Sequence, residues 1–327
     1  MMHKISRFLL CLAAMGLMTA LFLPSPHGIC ATAKEHLIIF NAGSLAVPFK
    51  AMAKAFKEQN PHVTIALESA GSRTCARKIT DLKRPCDVMA SADFTVIDNL
   101  LIPQYATWNI SFATNEMAIA YRPDAKGAKN INGQNWYDIL LKKGAQYGHS
   151  DPNSDPCGYR TLLVWQVAEK YYQIPGLYQK LMDNCPQKNI RPKETDLIAL
   201  MEVGEIDYLF IYRSVCEQHK MPYVILPDEI NLKSVRYKTF YNQAEVKISG
   251  KKPGEYILKQ GNAMVYGITI PKSAPNRELA IRFVAFVVGP KGQKIMQENG
   301  QPPISPPWTT GDPDDFPPLL QKLVTSR

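Results

Sequence analysis

Histidine is scarce in this chain, six in 327 residues, and the cysteine spacings match no zinc pattern. That removes the usual sequence support for a structural zinc site. Lysine and arginine never gather into a run, which argues against nucleic-acid binding. No G-x-S-x-G nucleophile motif occurs. There is no internal repeat and no low-complexity tract. Beyond the first 33 residues no stretch is apolar enough to span a bilayer.

What is present begins at the N-terminus. Lys4 and Arg7 precede an uncharged, mostly apolar run from Phe8 to Leu23, and Ala31-Thr32-Ala33 is a small-x-small cleavage site. This is the layout of a secretory signal peptide over 1–33. A membrane anchor would need roughly 20 apolar residues, more than this run supplies. The reading is an exported, periplasmic protein. Lipoprotein anchoring through Cys30 is disfavoured, because bulky Ile29 stands where a lipidation site wants a small residue.

About 294 residues then remain, more than one core holds and suited to two lobes. Five cysteines remain, Cys75, Cys86, Cys157, Cys185 and Cys216. Export permits disulfides, but the odd count leaves at least one thiol unpaired within the chain. Buried structural thiols fit best. Losing Lys4 and Arg7 takes the formal charge from +9 to +7, a mild attraction for anions at most.

Residues 36–42 (HLIIFNA) read as a strand, followed by Gly43-Ser44. Phe49, Met52, Ala53 and Phe56 then fall on one helix face. The pattern repeats with VTIALES (63–69), Gly71-Ser72, a helical stretch to Leu82, and DVMASAD (87–93) as strand. Such alternation predicts a parallel α/β sheet whose ligands bind outside the carboxyl ends of the strands. A second α/β unit runs from 114 to 265, and it holds MAIAYRP (117–123), a helix after Gly158, TDLIALMEVG (195–204) and DYLFIY (207–212). AMVYGITIP (263–271) leads back as a strand to two further helices over 275–288 and 291–300. Lobe 1 is therefore expected over 34–113 plus 266–327, and lobe 2 over 114–265. The proline-rich QPPISPPW (301–308) reads as a surface loop packed on a lobe.

Ser44, Ser72, the Asp155-Pro156-Cys157 turn and Glu194 all fall at strand–helix junctions, and Tyr212 ends a strand. Serine hydroxyls and helix N-termini together can cradle an oxyanion without lysine or arginine. Each position also has a plainer role: the serines, Asp155 and Glu194 as helix caps, Tyr212 as a core aromatic. Arg73 and Arg77, on the second helix, read as solvent-facing.

Order and spacing are more specific than any one position. NAGSL (41–45), SAGSRTCARKI (69–79), DVMASAD (87–93), SDPCGYR (154–160), the Glu194…Tyr212 pair, GNAMVYGITIPKSAPN and GQPPISP resemble the molybdate/tungstate-binding proteins of ABC importers, most closely their tungstate-type branch. The resemblance covers essentially all of the chain after the signal peptide. It implies an α/β, two-lobed periplasmic-binding-protein fold of type II, each lobe a mixed sheet flanked by helices, with the ligand in the interlobe cleft and a hinge of two crossing segments. It implies a monomeric receptor, not an enzyme, that needs no cofactor and passes tungstate or molybdate to a membrane permease and, through it, the importer's ATPase. It assigns Ser44, Ser72, Pro156, Cys157 and Tyr212 to the oxyanion. It gives Asp155 and Glu194 direct bonds to the metal, completing an octahedron.

Those acids would otherwise repel a dianion, since two like charges 4 Å apart cost roughly 4 kcal/mol at an effective dielectric of 20. Molybdenum and tungsten are large enough to add two carboxylate oxygens, and sulfur in sulfate does not do this. Asp155 and Glu194 therefore read as a device against sulfate. Three other classes compete. A hydrolase could use the two carboxyls as acid and base, but it leaves the paired Gly-Ser helix starts without a role. A sulfate or ferric-iron binder has the wrong donors, and a sensor that signals without transport would share the same lobes.

Overall fold

The apolar face of Phe49, Met52, Ala53 and Phe56 does bury itself, along the helix Ala46–Gln59. Each large side chain so removed from water contributes about 1.5–3 kcal/mol. Residues 35–311 and 316–326 are described by a computed structural model. The expected signal peptide and Cys30 lie outside the described residues.

In chain order the strands are β1 (Glu35–Ala42), β2 (Val63–Ala70), β3 (Val88–Ser91), β4 (Trp108–Thr114), β5 (Met117–Tyr121), β6 (Tyr147–Ser150), β7 (Ile190–Arg191), β8 (Tyr208–Tyr212), β9 (Tyr223–Ile225), β10 (Glu245–Ser249), β11 (Tyr256–Gln260), β12 (Val265–Thr269), β13 (Pro303–Gly311) and β14 (Thr325–Ser326). The helices that matter here are α1 (Ala46–Gln59), α2 (Ser72–Thr80), α3 (Phe94–Leu100), α4 (Trp136–Leu140), α5 (Pro156–Tyr171), α6 (Leu177–Asn184), α7 (Asp196–Glu202) and α8 (Arg213–Gln218).

Two sheets form two lobes. The first is seven-stranded, in the order β14-β13-β4-β12-β3-β1-β2, and draws on both ends of the chain. The second is five-stranded, in the order β7-β6-β8-β5-β9, and uses the middle. Both are mixed: β1 runs parallel to β2 and β3 while β12 is antiparallel to β3 and β4, and β6 is parallel to β8 while β5 is antiparallel to it. The chain crosses between sheets at Asn115-Glu116 and again between β11 and β12. β10 and β11 pair only with each other, as a hairpin outside both sheets.

Register explains why the site residues meet. Ala42 of β1 lies opposite Ala70 of β2, so both strands end level and Gly43-Ser44 and Gly71-Ser72 follow side by side. β3 ends at the same edge, with Ala90 opposite Asn41, which brings Ala92 and Asp93 there too. In the other lobe Ser150 pairs with Arg191 at the ends of β6 and β7, so Asp155 and Glu194 follow neighbouring parallel strands. This is the carboxyl-end edge where α/β sheets bind ligands.

The proline-rich tail departs from expectation. It is not a surface loop: residues 303–311 form β13, antiparallel to β4. The register jumps from Pro303 opposite Ala113 to Trp308 opposite Ser111. Pro306 and Pro307 fall in that irregularity, where no ladder N–H is required of them.

Candidate functional site

All seven residues singled out from the sequence, Ser44, Ser72, Asp155, Pro156, Cys157, Glu194 and Tyr212, are buried. Neither serine caps a helix with its side chain. Ala42 and Leu45 occupy the cap positions around Ser44, and Gly71 caps α2, none with a side-chain cap bond. Each hydroxyl oxygen instead accepts a hydrogen bond from behind: Ser44 Oγ from the Tyr266 hydroxyl at 3.0 Å, Ser72 Oγ from the Ala92 N–H at 2.9 Å. A serine used as acceptor still has its own hydrogen to give.

Asp155 does cap α5. Its Oδ1 accepts from the Cys157 N–H at 3.2 Å, and its Oδ2 accepts from the Glu194 N–H at 3.0 Å, which ties the two acidic turns together. Cys157 thus directs its N–H at the cap. Burial pushes its thiol well above the ordinary range, with Asp155 and Glu194 adding to the effect, so the side chain is inert. The other four cysteines are also free, and all but half-buried Cys185 are buried.

Glu194 is the strangest group here. Both carboxylate oxygens are buried without a hydrogen-bond partner among the described residues. Burial, then the neighbouring Asp155 charge and a carboxyl–carboxyl contact with it, raise the Glu194 pKa well above the carboxylate range. The carboxylate lies against the backbone of Gly43 in the opposite lobe, where a Cβ would come 2.8 Å from Oε1. Buried polar atoms are nearly always paired, and this pair of orphan acceptors faces the loop carrying Ser44.

Tyr212 Oη accepts from Arg160 at 2.9 Å, and its ring centroid is 6.4 Å from that of Tyr266. Arg160 also donates to the Ala92 carbonyl at 2.8 Å. Its charge is held despite burial, because Tyr212 and Asp93 raise its pKa. Arg160, Tyr266 and Asn115 are residues that sequence reasoning missed. Arg160 and Tyr266 lie inside stretches that carried the resemblance and Asn115 lies outside all of them, but nothing local marks a side chain as supporting a neighbour.

The lobes touch around these residues. Gly71 packs on the Ser154 and Pro192 carbonyls, and the Thr74 N–H donates to Ser154 O at 3.2 Å. Asp93 of the first lobe receives Tyr159 at 2.5 Å and Lys259 of the β10–β11 hairpin at 2.8 Å. Arg73 corrects another expectation. It is 1 % exposed, not solvent-facing, and donates to Asn153 O at 3.0 Å and to the Ser249 carbonyl. Arg77 is half-buried and donates to Gly250 O at 2.8 Å. Both arginines of α2 thus grip the hairpin across the gap.

The two lobes thus meet at the edges that carry Ser44 and Ser72 on one side and Asp155 and Glu194 on the other. The model for bacterial extracellular solute-binding proteins matches residues 37–301. The chain belongs to that family. This solute-binding protein is 58 % identical over 271 residues to an uncharacterized solute-binding protein of Petrotoga mobilis, covering 83 % of this chain and 84 % of that one. It is 40 % identical over 313 residues to the molybdate/tungstate-binding protein WtpA of Thermococcus kodakarensis, covering 87 % of each. Its fold matches the periplasmic molybdate-binding protein of Azotobacter vinelandii with a TM-score of 0.59 at 19 % identity, over 81 % of this chain and 98 % of that one. The solute-binding protein is a receptor, not an enzyme, and its family serves as the capture component of importers, which implies a permease partner. No helix among its described residues is long and apolar enough to cross a membrane.

Proposed function

We propose that this protein captures tungstate or molybdate outside the cytoplasm and hands it to the permease of an ABC importer. It acts as a monomer that closes its lobes over the oxyanion by hinge motion and needs no cofactor. Export through the 1–33 segment to the periplasm completes the reading, and 34–113 plus 266–327 against 114–265 are its two lobes.

The observation that carries the proposal is the Asp155–Glu194 pair. Two buried carboxyls, one with no hydrogen-bond donor for either oxygen among the described residues, cost stability unless a ligand uses them. A sulfate ion would meet repulsion there. A tetrahedral oxyanion with an expandable metal centre meets two further ligands, while Ser44, Ser72 and Tyr212 supply hydrogen bonds to its oxygens. The name of the Thermococcus kodakarensis relative supports the same class of ligand. Ferric iron fits less well, because no group of three or more His, Cys, Asp or Glu among the described residues is placed to hold a bare cation.

The test is isothermal titration of ligand-stripped protein with tungstate, molybdate and sulfate in turn. Tight one-to-one binding of the first two without sulfate is expected. Asp155→Ala combined with Glu194→Ala should relax the exclusion of sulfate. Unchanged selectivity in that variant would sink the role given to the acids.

A further inference from the structure

We infer that Tyr266 and Asn115 position the Ser44 hydroxyl, locking it as a donor towards the bound oxyanion and wiring that donor to the crossover between the lobes. The inference rests on Ser44 being a ligand residue, as proposed above.

The polarity of the chain of bonds is fixed from its far end. Asn115 sits at the first crossover, 3 % exposed. Its side-chain oxygen accepts from the Glu116 N–H at 2.9 Å and the Ser214 N–H at 3.5 Å. Turning the amide over would aim its NH2 at those two donors, so the orientation is settled by the network. The NH2 therefore points at Ser214 Oγ, 2.7 Å away, and Tyr266 Oη, 2.8 Å away. An amide NH2 only donates, so the tyrosine oxygen accepts and its single hydrogen goes to Ser44 Oγ at 3.0 Å.

Ser44 Oγ is thereby used as an acceptor, and no hydrogen bond donated by it is made among the described residues. Its hydrogen remains for the cleft. Tyr266 keeps its proton throughout, because burial pushes its pKa up to about 12 even though the Ser44 and Asn115 bonds pull it down. Such a chain polarises each member and strengthens the last donor. It also joins a ligand hydroxyl of one lobe to Ser214 at the start of α8 in the other, through Asn115 at the first crossover and Tyr266 in β12 just after the second.

The test is a double-mutant cycle by titration with tungstate on four full-length proteins: the parent, Tyr266→Phe, Ser44→Ala, and the two together, each first checked by ligand-free melting. Tyr266→Phe should weaken tungstate binding about tenfold in the parent and less than about twofold where Ser44 is already Ala. Equal losses in both backgrounds, or no loss in the parent, would overturn the positioning role while leaving the proposed ligand intact. An unchanged affinity in Ser44→Ala would instead remove Ser44 from the site and take this inference with it. If Tyr266→Phe does not fold, Asn115→Asp substitutes for it. The new carboxylate accepts from Tyr266, reverses the chain and frees Ser44 to turn away, so its loss should again be larger in the parent than in the Ser44→Ala background.

Discussion

Gly71→Ala separates closure of the lobes from stability of the fold. Gly71 caps α2 at φ −55° and ψ 139°, a conformation alanine adopts without strain. Within its own lobe the substitution is therefore tolerated, and lower unfolded-chain entropy favours the variant by about 0.4–1 kcal/mol. Across the cleft the geometry is severe. The new Cβ would sit 2.4 Å from the Ser154 carbonyl oxygen, 2.9 Å from the Pro192 carbonyl oxygen and 3.0 Å from Asp155 Cβ. Two of these are backbone atoms that cannot rotate aside, so the lobes must part locally by about an ångström. Overpacking of this kind costs about 1–3 kcal/mol, which converts to about a 5- to 150-fold loss of affinity. Titration with tungstate, paired with ligand-free melting, reads both quantities. Weaker binding with an unchanged or raised melting temperature is the expected result. Unchanged affinity would show that bound lobes do not approach as described, and a melting temperature lowered in step with affinity would place the clash in the ligand-free protein as well.

Three further outcomes follow from the charges. Replacing Glu194 by Gln removes a buried carboxyl whose pKa is raised in the fold; its stability contribution is present below the unfolded value near 4.3 and is lost as pH rises. Ligand-free Glu194→Gln should therefore melt higher than the parent at pH 7.5, by more than at pH 4, and an equal gain at both would refute the titration argument. His149 Nδ1–H donates to the Ser150 carbonyl at 2.7 Å, while Nε2 is buried without a partner among the described residues; burial lowers its pKa, so its contribution is present above about pH 6.5 and is lost as pH falls below that. Between pH 7.5 and 5.5 His149→Asn should lose less denaturant resistance than the parent, and parallel losses would exclude this histidine. Lys259→Met removes the hairpin's bond to Asp93, whose pKa burial would raise but which Lys259 and Arg160 hold well below the carboxylate range. A charged hydrogen bond of about 1.5–3 kcal/mol predicts at least tenfold weaker tungstate binding, with Tyr159 and Arg160 still holding Asp93. An unaltered affinity would deny the hairpin any part in closure.

Much of the fold was legible because its elements announce themselves locally. The period of Phe49, Met52, Ala53 and Phe56, and the apolar runs at 36–42 and 63–69, are bounded by Gly-Ser pairs that stop one element and start the next. The tail over 303–311 was not legible. Its strand character comes from β4 being available beside it, and prolines, which discourage a strand in isolation, fall in the irregular part of the ladder. Arg73 was misjudged for a related reason: an arginine on a short polar helix is usually solvated, and only the hairpin folding over from the other lobe buries it.

The sequence by itself determined which chemistry could be offered: two Gly-Ser helix starts, two acids ahead of helices and a strand-ending tyrosine, in an order that one family shares. These are properties of single turns, set by backbone conformation and residue type over a few positions. Tertiary structure alone decided what each group had left to give. Ser44 and Ser72 keep their hydrogens because Tyr266 and the Ala92 N–H, 222 and 20 residues away, occupy their oxygens. Glu194 has no hydrogen-bond donor for either oxygen among the described residues, and the Gly43 backbone of the other lobe closes over it. Hydrogen-bond polarity and desolvation depend on neighbours brought in by sheet register and lobe closure, and no local pattern in the chain encodes them.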